Sequence, residues 1–337
     1  MNKLPIFLFL VLITVTGCKE KTSENYKAVP SEAEETKMVS SKVHPGKKLM
    51  ETQCYLCHSP SAPEKEGRIG PPMIAIKAHY INDNTTKEEF ANAMWDFVEK
   101  PSEDKAKLRG AVRRFGVMPY QPFKEEDIAQ IAEYIFDYQI DEPAWFKDHW
   151  ENGHKKKRKP YKNTGKTVTN NSPMTNKDIG LSYALETKKL LGKNLMGAIQ
   201  EKGTLHALEF CNEQAYSLTD SMAQKFNATI KRVSDKPRNP KNQANTAELG
   251  KIEYFKRLLA SDSTIEPIVE KENGTNHFYY PIITNGMCLQ CHGSPNQNIK
   301  KETLASIQML YPKDKAVDYN INEVRGIWSI TFNEKEK

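Results

Sequence analysis

The sequence predicts a multidomain chain, an all-α unit followed by an α+β unit. Three observations predict it. Up to residue 138 the apolar residues recur at helical spacing only, strand and hairpin signals enter after residue 226, and each stretch carries its own Cys-x-x-Cys-His string. The 337 residues suffice for two ordinary domains. With 38% hydrophobic and 27% charged residues the chain is hydrophilic, yet apolar enough to build cores. A net charge of +6 is too mild to imply nucleic acid.

The N-terminus reads as an address. Asn2 and Lys3 precede an apolar run from Leu4 to Val15, shorter than the roughly twenty residues a membrane span needs. The run ends in Val15-Thr16-Gly17-Cys18, which resembles a bacterial lipobox. That resemblance implies cleavage after residue 17, a lipidated Cys18 and a protein anchored in the cell envelope, facing the periplasm. Residues 18–43 are polar and aperiodic, as a tether should be.

The first unit spans residues 44–150. A short helix from Gly46 should end on Cys54-Tyr-Leu-Cys57-His58, and Gly70-Pro71-Pro72 breaks the chain after it. Thr86 and Glu89 form a capping box for a helix presenting Phe90, Met94, Phe97 and Val98. Ser102 could cap another, ended near Gly116. From Lys124 to Tyr138, Ile128, Ile131, Ala132 and Ile135 make an amphipathic stripe. Residues 151–176 include the basic run 155–159 and read as a linker.

The second unit spans residues 177–337. A long helical pattern runs from Asp178 to Gln200, and Gly203 leads into another that carries Cys211. Residues 227–233 suit a strand, 247–260 a helix, and 268–280 a hairpin turning on Asn273-Gly274. Cys288-Leu-Gln-Cys291-His292 follows, then a helix near 302–310, in which Met309 is expected to pack in the core, and a last strand near 324–332.

Six cysteines first suggest three disulfides, but a disulfide framework needs no histidine beside each pair. Two thiols at this spacing add to the two vinyl groups of one haem, and the adjacent histidine then lies under the iron. Neither string follows the first strand of a βαβ unit, which argues against a thioredoxin-type motif. Two covalently bound haem c groups are therefore expected, on Cys54 and Cys57 with His58 as ligand, and on Cys288 and Cys291 with His292.

The first unit resembles a class I cytochrome c across His44 to Tyr138. The resemblance implies that Met118, in Gly-Val-Met-Pro-Tyr, is the sixth ligand; Met73 is its rival, although Gly70-Pro71-Pro72 matches the segment that packs behind the proximal histidine. The second unit resembles a PAS-like c-type haem family of exported sensors. That likeness rests on residues 207–212, Arg238-Asn239-Pro240, Cys288 to Gly293, Leu310-Tyr311-Pro312 and Val324-Arg325-Gly326. It implies that His292 is proximal and Cys211 distal, with His206 and His277 as rivals. Together these resemblances imply a dihaem lipoprotein that carries electrons between exported or membrane redox proteins and is not an enzyme. A haem-based redox or gas sensor and a dihaem peroxidase are the alternatives.

Overall fold

The computed structural model describes residues 44–65, 68–154, 162–168 and 173–333. The expected signal segment, Cys18, the tether and the basic run 155–159 lie outside the described residues. No described helix is long and apolar enough to cross a membrane.

The first region is helical. Helix α1 (Pro45–Gln53) has proline in its first turn and His44 as its cap, whose Nδ1 accepts from Gly46 N. It stops one residue short of the first motif, which folds as a separate turn. Helix α2 (Met73–Tyr80) starts directly after Pro72. Helix α3 (Lys87–Glu99) begins with the expected Thr86/Glu89 capping box and buries Phe90, Met94 and Val98, while Phe97 is only partly covered. Helix α4 (Arg109–Phe115) is shorter than expected: Ser102 accepts from Lys105 N in a turn and caps nothing helical, because a turn at 103–105 and a bend at 107 occupy the chain before Leu108. Helix α5 (Glu125–Asp137) buries Ile128, Ile131, Ala132 and Ile135, as its spacing predicts. Helix α6 (Phe146–His154) adds Phe146 and Trp150 to the same cluster. Residues 162–168 also lie against this region: Gln139 N donates to Lys166 O, and Asn163 bonds both N and O of Ile140.

Helix α7 (Asn176–Phe226) is one 51-residue element interrupted at Gly203, where φ is +81° and ψ −178°. A glycine tolerates that conformation and other residues do not, so the break falls at the predicted place. Strands β1 (Ala228–Val233), β2 (Ile268–Glu272), β3 (Thr275–Ile283) and β4 (Val324–Asn333) form one antiparallel sheet in the order β1-β4-β3-β2. The β2–β3 turn has positive φ at both Asn273 (49°) and Gly274 (79°), the conformation a two-residue hairpin prefers. Helix α8 (Thr246–Ala260) packs on one part of the sheet, and the first half of α7 on another. The second motif forms the single turn of α9 (Leu289–His292), and α10 (Lys301–Leu310) follows. In α10 Ile307 is buried, but Met309 is 72% exposed and is not a core residue. Two positions along a helix turn the side chain by about 200°, away from the face Ile307 buries.

Candidate functional site

The two Cys-x-x-Cys-His strings adopt the same local structure. His58 N donates to Cys54 O at 2.9 Å, and His292 N donates to Cys288 O at 2.9 Å. Each string is thus one α-helical turn, which places the first cysteine and the histidine, four residues apart, on one face. The five described cysteines are free.

Each histidine is then oriented through the same ring atom. His58 Nδ1 bonds Pro71 O at 2.6 Å, and His292 Nδ1 bonds Ala316 O at 2.8 Å. A carbonyl can only accept, so Nδ1 carries the proton and Nε2 keeps its lone pair for a metal. Burial lowers the pKa of His58, with the Pro71 carbonyl acting the other way. His292 is lowered well below the usual imidazole value, first by burial and then by the Arg325 and Arg238 guanidiniums. Both rings are held neutral, the state in which imidazole coordinates iron.

Behind His58, Gly70 makes a close approach that a side chain would spoil. A Cβ there would lie 3.0 Å from Cys57 O and 3.4 Å from His58 Cε1. Gly70-Pro71-Pro72 thus backs the histidine. Met118 and Met73 both line one cavity of about 810 Å³ with Cys54, Cys57 and His58. Met73 is the more deeply buried, at 2% exposure, and opens α2. Met118 is half-buried and lies on the loop between α4 and α5.

Around the second motif the surroundings are cationic. Arg238 Nη2 donates to Cys291 O at 2.5 Å and pairs with Asp314 at 3.2 Å, both side chains being nearly buried. Arg325 Nε points at His292 Nδ1 from 3.3 Å, but the shorter 2.8 Å bond to the Ala316 carbonyl takes the ring proton, so the guanidinium acts there by its charge alone; it also sits over the Tyr319 ring. Tyr319 in turn meets His292 edge-on at 6.3 Å. Cys211, on the second half of α7, lies close enough to Cys291 and Tyr311 to act on both electrostatically. Burial pushes the Cys211 thiol up, while Arg232 and Arg238 pull it down. His206 is partly buried on α7, five positions before Cys211 and on another face of the helix. His277 is in β3, registered against Glu270 and Thr331 within the sheet.

Helix α7 joins the two centres. Leu56, inside the first motif, comes to 2.6 Å from where a Cβ on Gly192 would stand. Thr204, just past the break, donates to Gln290 inside the second motif at 3.1 Å. Sequence reasoning missed one residue here, Arg232 on β1. It had no legible signal, since alternation along β1 does not say what faces it.

The fit to a porphyrin follows from the donor set. Among the described residues no group of three or more His, Cys, Asp or Glu gathers around a point, so a bare ion finds no chelating cage. Each centre instead offers a histidine whose Nδ1 is committed to a carbonyl, two cysteines of one helical turn and a further sulfur nearby, a donor set that would suit an iron bringing ring nitrogens of its own.

The chain thus carries two such cradles, one in a helical region and one beside an antiparallel sheet. More particularly, the Tll0287-like family profile matches residues 125–333, and the chain belongs to that family. A solved structure, the crystal structure of the cyanobacterial heme-protein Tll0287, is similar at 16% identity over 49% of this chain and 99% of that chain, with a TM-score of 0.38. No curated protein matches.

Proposed function

We propose that this protein is an exported dihaem c-type cytochrome, lipid-anchored through Cys18, that transfers electrons between redox partners of the cell envelope. The observation that carries the reading is the doubled cradle: two Cys-x-x-Cys-His turns, each with its histidine Nδ1 committed to a backbone carbonyl. The family takes its name from Tll0287, a protein titled a heme-protein, and a haem role for this chain is in keeping with that. Bound haem iron supplies a one-electron Fe(III)/Fe(II) couple.

The chain's own residues do the rest. Cys54, Cys57, Cys288 and Cys291 form the thioether links. His58 and His292 present Nε2, with Pro71 O and Ala316 O fixing the ring planes. Met118 and Cys211 complete the two ligand sets. A neutral thioether favours ferrous iron, whereas a thiolate favours ferric iron, so ligation by Met118 would raise the midpoint at the first centre and ligation by Cys211 would lower it at the second. Arg232 and Arg238 stabilise the thiolate and so assist ligation by Cys211.

The test is haem stoichiometry with potentiometry. Pyridine haemochrome and intact mass should give two covalent haems per chain, and a spectral redox titration should resolve two midpoints. One haem, or a single midpoint, overturns the reading. A sensor is the second reading, favoured by the burial that works against the Cys211 thiolate and so eases its release on reduction. Fast carbon monoxide binding to the reduced second centre with loss of the Cys211 signature would select it. Steady peroxide turnover with a reduced cytochrome would select a peroxidase.

A further inference from the structure

Strand β4 carries one irregularity, and it lies beside the second motif. Ile282 of β3 opposes Gly326 and Ile283 opposes Val324, so Arg325 is an extra residue with no partner in that ladder. Such a bulge bends its strand and re-aims the side chain at the unpaired position. Gly326 permits the close approach beside it, because a Cβ there would run into Val233 O.

The re-aimed side chain is held by neutral groups. Arg325 Nη1 donates to Ser234 Oγ at 2.9 Å and to Lys236 O at 3.2 Å, and the guanidinium lies over the Tyr319 ring, 5.3 Å from its centre. Its Nε then faces His292 Nδ1 at 3.3 Å, although the proton on that nitrogen is committed to Ala316 O. Hydrogen bonding alone would set an acceptor beside that nitrogen, not a second donor. What the guanidinium brings to the ring is charge. Among the described residues no carboxylate pairs with it, since Asp314, which acts on it from a distance, is paired with Arg238. Of the charged groups that lower the His292 pKa, Arg325 counts first. At His58 no charged group contributes.

We infer that Arg325 is an electrostatic positioning residue of the second centre, aimed by the β4 bulge so that its charge acts through His292 and raises the midpoint of the haem attached there. The inference rests on the reading of the second motif as a haem site. A positive charge beside a ligand draws electron density from it and favours the reduced iron, which carries one electron more. There it opposes a Cys211 thiolate, which pulls the same midpoint down.

The experiment is a spectral redox titration of the full-length holoprotein beside Arg325→Gln, Arg325→Met and Arg325→Lys. Gln and Met should change the oxidised-to-reduced ratio of the second haem at least tenfold at fixed potential, which is about 59 mV downward for a one-electron couple, with the first haem unmoved. Lys keeps the charge and should stay within about threefold of the wild type. A second midpoint that stays or rises in both neutral variants overturns the inference. An equal downward shift with Lys makes the side chain a packing residue and overturns it too. So does an equal shift of both haems, which makes the charge a general field and not a partner of His292. Met still covers the Tyr319 ring if Gln does not fold. Peptide mapping of the wild type is read in the same series; a Cys288–Cys291 peptide without haem defeats the reading of the site itself, independently of the variants.

Discussion

The two motif regions share a pentapeptide pattern and differ in nearly everything around it. At the first, the orienting carbonyl comes from Pro71, thirteen residues on, within a stiff Gly-Pro-Pro segment packed on the ring. At the second it comes from Ala316, twenty-four residues on and beyond helix α10. The first histidine is shifted by burial and one carbonyl; the second is also surrounded by Arg238 and Arg325. A local motif therefore fixes how a group is held, and distant residues set its charge environment. On the dihaem reading, the same covalent chemistry would then run at two potentials.

The largest test of this contrast removes both thioethers of one centre. The double variants Cys54→Ser/Cys57→Ser and Cys288→Ser/Cys291→Ser should each lose covalent attachment at one centre only, halving the covalently bound haem per chain while the other centre keeps its spectrum. Loss of both would mean that the regions do not mature independently.

Next come the sixth ligands, whose removal should act with opposite signs. Met118→Ala should lower the first midpoint and Cys211→Ala raise the second, each by more than a tenfold ratio, about 59 mV. Unchanged spectra would transfer ligation to Met73 in the first case and to His206 or His277 in the second.

Arg238→Ala sharpens the electrostatic half of the comparison. It strands Asp314 and frees the Cys291 carbonyl, and breaking such a nearly buried pair costs about 3–5 kcal/mol. Urea unfolding should show that loss, with the first haem's midpoint unmoved.

The smallest effect concerns packing of the first region. Lys77 on α2 is buried and donates to Tyr138 O at 2.5 Å and Thr164 O at 2.8 Å. Burial, against Asp137 and Glu142, brings its pKa down to about 8. Between about pH 8 and 10.5 the unfolded chain therefore holds the proton more readily than the folded one, so stability rises with pH across that window and is flat below it. Relative to Lys77→Met, the wild type should gain about 1–2 kcal/mol there after allowance for solvent screening. A difference independent of pH would show that the ammonium is not desolvated.

Much of this was legible in the chain. The Thr86/Glu89 box, the α5 stripe, the break at Gly203 and the Asn273-Gly274 hairpin each depend on a few adjacent residues. Ser102 and Met309 misled for a related reason: a cap signal or an apolar residue near a helix says nothing of whether the backbone continues or which face is covered.

The sequence by itself determined the two helical turns that present two thiols and a histidine, because their hydrogen bonds close within four residues. Only the tertiary structure decided that β4, last in the chain, lies between β1 and β3. It also decided that Arg238 reaches Cys291 across 53 residues. The physical reason is range. Backbone hydrogen bonds and side-chain period act between near neighbours in sequence, while burial and charge act through space and sum over whatever the fold brings close.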